Sequence, residues 1–510
     1  MIPKPPFLSD LTPEKEISEF EALKPRLMDV WDQISLRNDE PHTSVVVPSL
    51  TLDQMELKKL EGASFYEERL LFLLIRLRNP RARVVFVTSQ PVHALILEYY
   101  FQLLVGIPAS HARSRLTMLC AYDASPRSLT EKVLERPRLV ERIRAAIPDK
   151  TRAYLTVFNS TPLERKLAVL LGIPLNGVDP ALNHLGTKSG SRRAFREAGV
   201  ELPAGFEDLK TEDEVTDAII ELKKLRPGLR RAVVKLNDSF SGEGNGLFRY
   251  TGDLSKGAVH DGLSNLELAV ATETREEYFD KFHRMGGIVE EFLEGEVKHS
   301  PSVQLRVDPH GAVLPISTHD QVLGGPSGQV FLGCLFPAAD EYRLKISGAG
   351  MKIGAVLAQK GVVSRFGIDF LVTKSAETGE TKVYALEINL RMGGTTHPFL
   401  ALQFITGGKL DPETGLFYSP RNHTKFYRAT DNLISPAYRG LAPEDLVEIL
   451  TFNGLHYNYN TESGVLFHLI GAVSEFGKLG MSAIGNTREE VEALYAKTLD
   501  ILDRETTHGR

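Results

Sequence analysis

The sequence predicts an α/β fold of several domains, and three observations carry that prediction. Arg83–Ser89 (RVVFVTS) is a β-branched run followed by the amphipathic stretch PVHALILEYYFQLLVG, which stops at Gly106. Ala153–Ser160 (AYLTVFNS) and TPLERKLAVLLGIP repeat the order, with a Thr161 cap, Pro162 in the first turn and a Gly172 stop. Two strand–helix units with short links argue for a small parallel sheet, Rossmann-like in architecture. The third observation is the length of 510 residues, more than one hydrophobic core accommodates.

Further along, TKSGSRRAFREAGV reads as a helix closed by Gly199, and helical segments follow near Thr211–Lys224. The strand RAVVKLND comes next. Strand-like runs then accumulate: AVLPISTHDQV, GQVFLGCLFP, SRFGIDFLVT and KVYALEINLR. From about Gly407 the chain turns to Asn-, Tyr- and Pro-rich loops, then an apolar helix-like run GVLFHLIGAVSEFGKLG and the charged helix TREEVEALYAKTLDILDRE. His468, inside that apolar run, reads as a core histidine.

Composition excludes several function classes. The net charge of −6 arises from 60 basic and 66 acidic residues without long blocks, so no nucleic-acid or membrane surface is expected. Two cysteines in unrelated contexts allow no zinc spacing and no disulfide framework. The start, MIPKPPFLSD, lacks the apolar core of a signal peptide, and no run of about 18 apolar residues occurs, so a cytoplasmic protein is expected.

The chemistry concentrates in two motifs. KLNDSFSGEGNGLFRY places Gly242, Gly244 and Gly246 after Lys235. A dinucleotide fingerprint needs G-x-G-x-x-G and a following helix, but the spacing is G-x-G-x-G and LFRYTGD reads as a strand. A P-loop needs its lysine after the glycines, and here it precedes them. The N-terminal sheet has no Gly-rich turn either, which argues against an NAD(P) oxidoreductase. What remains is a hairpin whose Gly/Ser-rich tip either folds over phosphates or is simply a mobile turn.

The second motif is YALEINLRMGG. On a strand, Glu387, Asn389 and Arg391 share one face while Leu386 and Ile388 take the other. Asp369, in FGIDFLV, lies about 18 residues earlier across the turn-rich KSAETGET, so an antiparallel pair brings Asp369, Glu387 and Asn389 together. Clustered oxygen ligands suit Mg²⁺, and the guanidinium suits a transferring phosphoryl group; a solvated sheet face with an ion pair is the plainer alternative.

Taken in order, Lys188, Lys235 with its glycine loop, VEEFLEGE, Asp369 and Glu387-x-Asn389-x-Arg391 resemble the ATP-grasp superfamily of carboxylate–amine ligases. The flanks STHDQVLGGPSGQVFLGCLFPA and GVLFHLIGAVSEFGKLGMSAIG resemble its pheganomycin-type peptide ligases. The resemblance implies a Rossmann-like pre-ATP-grasp domain over residues 1–180. It places a two-subdomain ATP-grasp fold over 181–405 (about 185–287 and 288–405), and a C-terminal α+β segment over 406–510. It assigns Lys188 and Lys235 to ATP phosphates. The covering lid falls on Ser239–Gly246, including Ser241, Gly242, Gly244 and Gly246. Glu290, Glu291, Phe292 and Leu293 would border adenine, with Glu296 as the nearest ribose acid, its register left open.

Asp369, Glu387 and Asn389 match the ligands of Mg²⁺ (or Mn²⁺), and His319, Asp320 and Gln321, with Arg391, could shape the substrate site. One departure stands out: the D-alanine ligase pattern puts an arginine two residues before the metal aspartate, where this chain has Gly367. The implied reaction joins a small carboxylate to an amine, amino acid or peptide, through an acyl phosphate, with Lys235 and Arg391 as catalytic cations. A homodimer is compatible with this reading. The competing reading is a non-catalytic ATP-binding regulator.

Overall fold

The computed structural model describes residues 11–36, 39–52, 57–58, 60–238, 244–270, 273–295, 297–324, 330–374 and 379–507. The N-terminal part is the expected parallel sheet. The strands Thr43–Val47, Arg83–Thr88, Leu116–Cys120, Ala153–Val157 and Leu175–Asn176 pair in parallel, with Thr43–Val47 in the centre. The helix Pro162–Leu171 starts as its sequence dictates. Thr161 and Glu164 form a reciprocal cap, Pro162 fills the first turn, and Gly172 ends the helix at φ 69°.

A second sheet is antiparallel and runs in the order Gly205–Leu209, Gly287–Glu291, Arg231–Leu236, Asn245–Arg249, Glu267–Leu268. One face buries Ala232, Val234, Leu236 and Val289 against the helices Glu212–Leu225 and Arg275–Met285. Alternation therefore turns Val233, Lys235, Ile288 and Glu290 to the opposite face. The expected subdomain cut at 287/288 falls at the start of the strand Gly287–Glu291, which pairs with both neighbours of this sheet and belongs to it.

The third sheet has eleven strands and contains Pro301–Val307, Val313–Gly324, Val330–Phe336, Ser364–Lys374 and Thr381–Asn389. It continues without interruption into the C-terminal segment, because Thr424–Ile434 pairs with Val330–Phe336 and with Lys478–Gly485. The expected cut at 405/406 therefore separates strands of one sheet. The apolar run expected to be helix-like forms the strands Gly464–His468 and Lys478–Gly485 around the short helix Val473–Phe476. Both strands are buried along their whole length, so they lack the alternation that marks a half-exposed strand.

The N- and C-terminal parts share a hydrophobic core. Leu70, Phe72 and Leu74, from the 3₁₀ segment Ala63–Arg78, pack in one cluster with Phe399, Phe404, Leu466 and Met481. Among the described residues, no helix is long and apolar enough to cross a membrane.

Candidate active site

Where the three sheets meet lies a cavity of about 940 Å³. That is enough for a nucleotide together with a small substrate. Lys188 enters it from the first position of the helix Lys188–Glu197, whose N-cap Thr187 accepts from Gly190 N at 3.0 Å. A cation is unfavourable at a helix N-terminus, and Lys188 is only 5 % exposed. Glu387 supplies the compensation, with Nζ to Oε1 at 2.6 Å. The helix start is tied to the second sheet by Asn237, whose Oδ1 accepts from Ser189 N at 3.0 Å and whose carbonyl accepts from Lys188 N at 3.1 Å. The two lysines thus reach one cavity from joined elements.

Across the ladder, Asp369 stands opposite Glu387 and Gly367 opposite Asn389. Asn389 Nδ2 donates to Asp369 Oδ2 at 2.9 Å, and Arg391 Nη1 donates to Asn389 Oδ1 at 2.5 Å. The four residues expected on one sheet face are together. Burial, and next the facing Glu387 carboxylate, push Asp369 up to about 7, although Arg391, Gln321 and Lys188 pull the other way. Burial acts on Glu387 in the same sense, but Lys188, Arg391 and Lys235 outweigh it and hold that carboxyl below its usual value. Two carboxylates this close, one of them raised, form an oxygen donor set that a divalent cation relieves.

Other expected site residues take different places. Lys235 pairs with Glu290, and Arg192 Nη1 donates to the same carboxylate at 3.0 Å. Glu290 is 3 % exposed, so its side chain holds the lysine rather than facing a base. The cause is register: Ile288 stands opposite Lys235, which puts Glu290 on the lysine's face. Glu291 is occupied too, accepting from Ala204 N at 2.7 Å and lying 3.4 Å from Arg226 Nε. Phe292 is stacked between Arg231, 3.8 Å from its ring centre, and Lys298 at 4.3 Å. The backbone N–H groups of Glu291 and Phe292 are bonded to Ala204 O and Arg231 O. Glu290, Glu291, Phe292 and Leu293 all line the cavity.

Gly244 and Gly246 are not free lid positions. Gly244 O accepts from Leu236 N and Tyr278 Oη, and Gly246 lies in the strand Asn245–Arg249 opposite Val234. A Cβ on Gly246 would stand 2.5 Å from Leu266 Cδ2, so its missing side chain serves packing. Ser241, Gly242 and Glu296 lie outside the described residues.

His319, expected at the substrate site, lies away from the cavity. It is fully buried, bonded to Tyr427 Oη at 2.6 Å and packed against Phe336, and burial pushes its pKa down to about 3. The aromatic cluster covers it, so it does not reach the cavity. Asp320 lines the cavity but is anchored by Tyr342 Oη at 2.6 Å and Ala339 N at 2.9 Å. Gln321 donates to Asp369 Oδ1 at 2.7 Å, which makes it a neighbour of the acidic cluster.

Another wall of the cavity is built from residues the sequence does not flag: Leu50, Tyr66, Arg69 and Phe158 from the N-terminal part, with Asp431 and Lys478 from the C-terminal part. Arg69 Nη1 lies 3.2 Å from Asp431 Oδ2. Asp431 Oδ1 is in turn 2.7 Å from His397 Nε2 and 2.8 Å from His468 Nε2, and the two ring nitrogens are 3.0 Å apart. These edges are shorter than the roughly 3.3 Å expected between ligands of tetrahedral zinc, and they match hydrogen-bond spacing. The two imidazoles fix the carboxylate that fixes Arg69. His468 is the buried core histidine expected, although its Nδ1 has no partner among the described residues.

Comparison with known proteins agrees with this geometry. A family described as "IQCH-like, ATP-grasp" matches residues 180–255 and 269–413, and one described as "PGM1 C-terminal domain" matches 445–498. The L-propargylglycine–L-glutamate ligase of Streptantibioticus cattleyicolor is 31% identical over 477 residues, covering 91% of this chain and 94% of the relative. IQ motif-containing protein H of Danio rerio is 23% identical and is covered over 51% of its length, with 96% of this chain aligned. The fold is that of the Campylobacter jejuni biotin carboxylase, with TM-score 0.56 and 12% identity over 91% of this chain and 92% of that one. The biotin carboxylase domain of Hydrogenobacter thermophilus 2-oxoglutarate carboxylase gives TM-score 0.51 at 14% identity, over 87% and 86%. The chain belongs to the ATP-grasp carboxylate–amine ligases, ATP-dependent enzymes that form carbon–nitrogen bonds, and it is similar to their pheganomycin-type peptide ligases.

Proposed function

We propose that the protein joins the carboxylate of one amino acid or short peptide to the amine of another, forming an amide while ATP becomes ADP and phosphate. The observation that carries this reading is the convergence of Lys188, Lys235, Asp369, Glu387, Asn389 and Arg391 on one cavity. The relative named for L-propargylglycine and L-glutamate supports amino acids as the substrate class.

In the reaction, a donor carboxylate oxygen attacks the γ-phosphorus and the bond to the ADP oxygen breaks. The amine nitrogen then attacks the acyl carbon, the bond to phosphate oxygen breaks, and the amine's proton passes to the departing phosphate. Little covalent work falls to the protein; its side chains position and neutralise. Lys188 and Lys235 hold phosphate oxygens, and their partners Glu387 and Glu290 keep both ammonium groups aimed when no phosphate is present. Arg391, anchored on Asn389, meets the charge on the transferring phosphoryl group. Asp369, Glu387 and Asn389 would hold Mg²⁺ (or Mn²⁺), and Gln321 orients Asp369. A divalent cation held there would supply positive charge against the phosphates. The walls Glu291–Leu293 border the base.

The test is ADP release from ATP with mixtures of amino acids and dipeptides, repeated with Glu387→Ala. Turnover that needs both a carboxylate and an amine, and falls at least about a hundredfold in the variant, is expected. Tight ATP binding with no such turnover would instead identify a non-catalytic ATP-binding regulator.

A further inference from the structure

The wall built from the N- and C-terminal parts holds two cations and one carboxylate. Arg69 is 6 % exposed, Lys478 7 % and Asp431 8 %, and all three line the cavity. Arg69 spends Nη1 on Asp431 and Nε on Tyr66 O at 3.3 Å. Its Nη2 has no hydrogen-bond partner among the described residues. Lys478 Nζ donates to Tyr66 Oη at 2.6 Å, and among the described residues no carboxylate lies within ion-pair distance of it. Tyr66 stands between the two, its ring centre 4.5 Å from the Arg69 guanidinium and 4.8 Å from Lys478 Nζ. Phe158 closes the other side of the guanidinium at 4.8 Å. Buried cations in excess of buried anions are costly unless a ligand brings the missing charge.

We propose that Arg69 and Lys478 form the subsite for the free carboxylate of the amine-bearing substrate. The proposal rests on the ligase reading above and deepens it. When two amino acids are joined, the donor's reacting carboxylate is consumed at the phosphates, beside Lys188, Lys235 and Arg391. The acceptor's own carboxylate survives into the product and must be held where it cannot be activated. A cationic pair on a separate wall of the same cavity, built from the N- and C-terminal parts, meets that requirement. The planar guanidinium, clamped between Tyr66 and Phe158, offers a fixed donor edge, and the ammonium supplies a second charge. Asp431 is already engaged by Arg69, His397 and His468, so it does not capture the acceptor's amine, which stays available to attack.

The experiment uses the full chain with ATP, Mg²⁺ and a mixture of the common L-amino acids. Hydroxylamine, which needs no carboxylate, traps the acyl phosphate as hydroxamate and tests the ligase reading by itself. Dipeptide products identify donor and acceptor, and kcat/KM is then measured for the acceptor and for its carboxamide. The wild type should prefer the free carboxylate by about a hundredfold or more, as expected for loss of a charge-assisted contact in a buried site. Lys478→Met and Arg69→Lys, each checked for folding by circular dichroism, should cut that preference about tenfold, chiefly through acceptor KM.

Equal use of acid and carboxamide by the wild type overturns the subsite. So does a preference that neither folded variant changes, and so does hydroxamate without any dipeptide. Absence of both hydroxamate and ADP is the distinct result that removes the ligase reading, and the subsite with it.

Discussion

The ion pair between Lys188 and Glu387 makes a quantitative prediction that does not require knowing the substrates. The contact is 2.6 Å, with side-chain exposures of 7% and 27%. Removing one partner of a buried pair costs about 3–5 kcal/mol, and the partial exposure of Glu387 places this case at the lower end. Lys188→Met strands the Glu387 carboxylate beside Asp369 and should cost about 3 kcal/mol. Glu387→Gln keeps an acceptor for the ammonium and relieves Asp369, so it should cost about 1.5 kcal/mol. Independent effects would sum to about 4.5 kcal/mol, whereas the double variant should lose only about 2.5, because no charge is then left unpaired.

Urea unfolding of the four proteins in EDTA, without nucleotide, followed by circular dichroism and by intrinsic fluorescence, measures the cycle. The two probes must give coincident transitions for the arithmetic to hold. Single-variant costs that add to within about 0.5 kcal/mol would refute the coupling. The view that Glu387 keeps Lys188 aimed before phosphate arrives would fall with it.

Two further outcomes follow from buried carboxylates elsewhere. Glu290→Gln unpairs Lys235 while Arg192 keeps Glu207, and should raise the KM for ATP about tenfold while lowering stability by about 2 kcal/mol; an unchanged KM would remove Glu290 from the site. Glu68 is pushed up to about 7 by burial and by Glu67, against the Gly471 and Ile470 N–H groups, from a usual value near 4.5. The folded chain keeps this proton while the unfolded chain releases it, so stability falls as pH rises from about 4.5 to 7. Glu68→Gln should therefore raise the thermal midpoint at pH 8 by roughly 2–3 °C and leave it nearly unchanged at pH 4.5. An equal shift at both pH values would count against the assignment.

How much of this was legible depended on sequence distance and periodicity. Asp369, Glu387 and Asn389 could be read because strand alternation and one hairpin place them together. That Glu290 holds Lys235 could not, because it depends on the register that sets Ile288 opposite Lys235. The helix Arg343–Gln359 is hard to read from sequence, since Gly348, Gly350 and Gly354 weaken its helical signal. Two of these glycines have a packing reason: a Cβ on Gly350 would stand 2.7 Å from Val303 Cγ1, and one on Gly354 2.6 Å from Val313 Cγ1. His319 misled because a histidine at a polar strand end looks accessible, and nothing local announces that Phe336 and Tyr427 cover it. Arg69 and Asp431 are 362 residues apart and carry no local motif, so only the folded chain joins them.

Two walls of the cavity are furnished by different stretches of chain. Every group assigned to ATP and metal lies between Lys188 and Arg391, while the other wall comes from Leu50–Phe158 and Asp431–Lys478. The groups assigned to ATP and the proposed acceptor subsite are thus written in separate passages of one gene. On the proposed assignment, replacing side chains in the outer passages alters the choice of acceptor and spares the groups that meet ATP, so new acceptors are reachable by small steps that never pass through an inert enzyme.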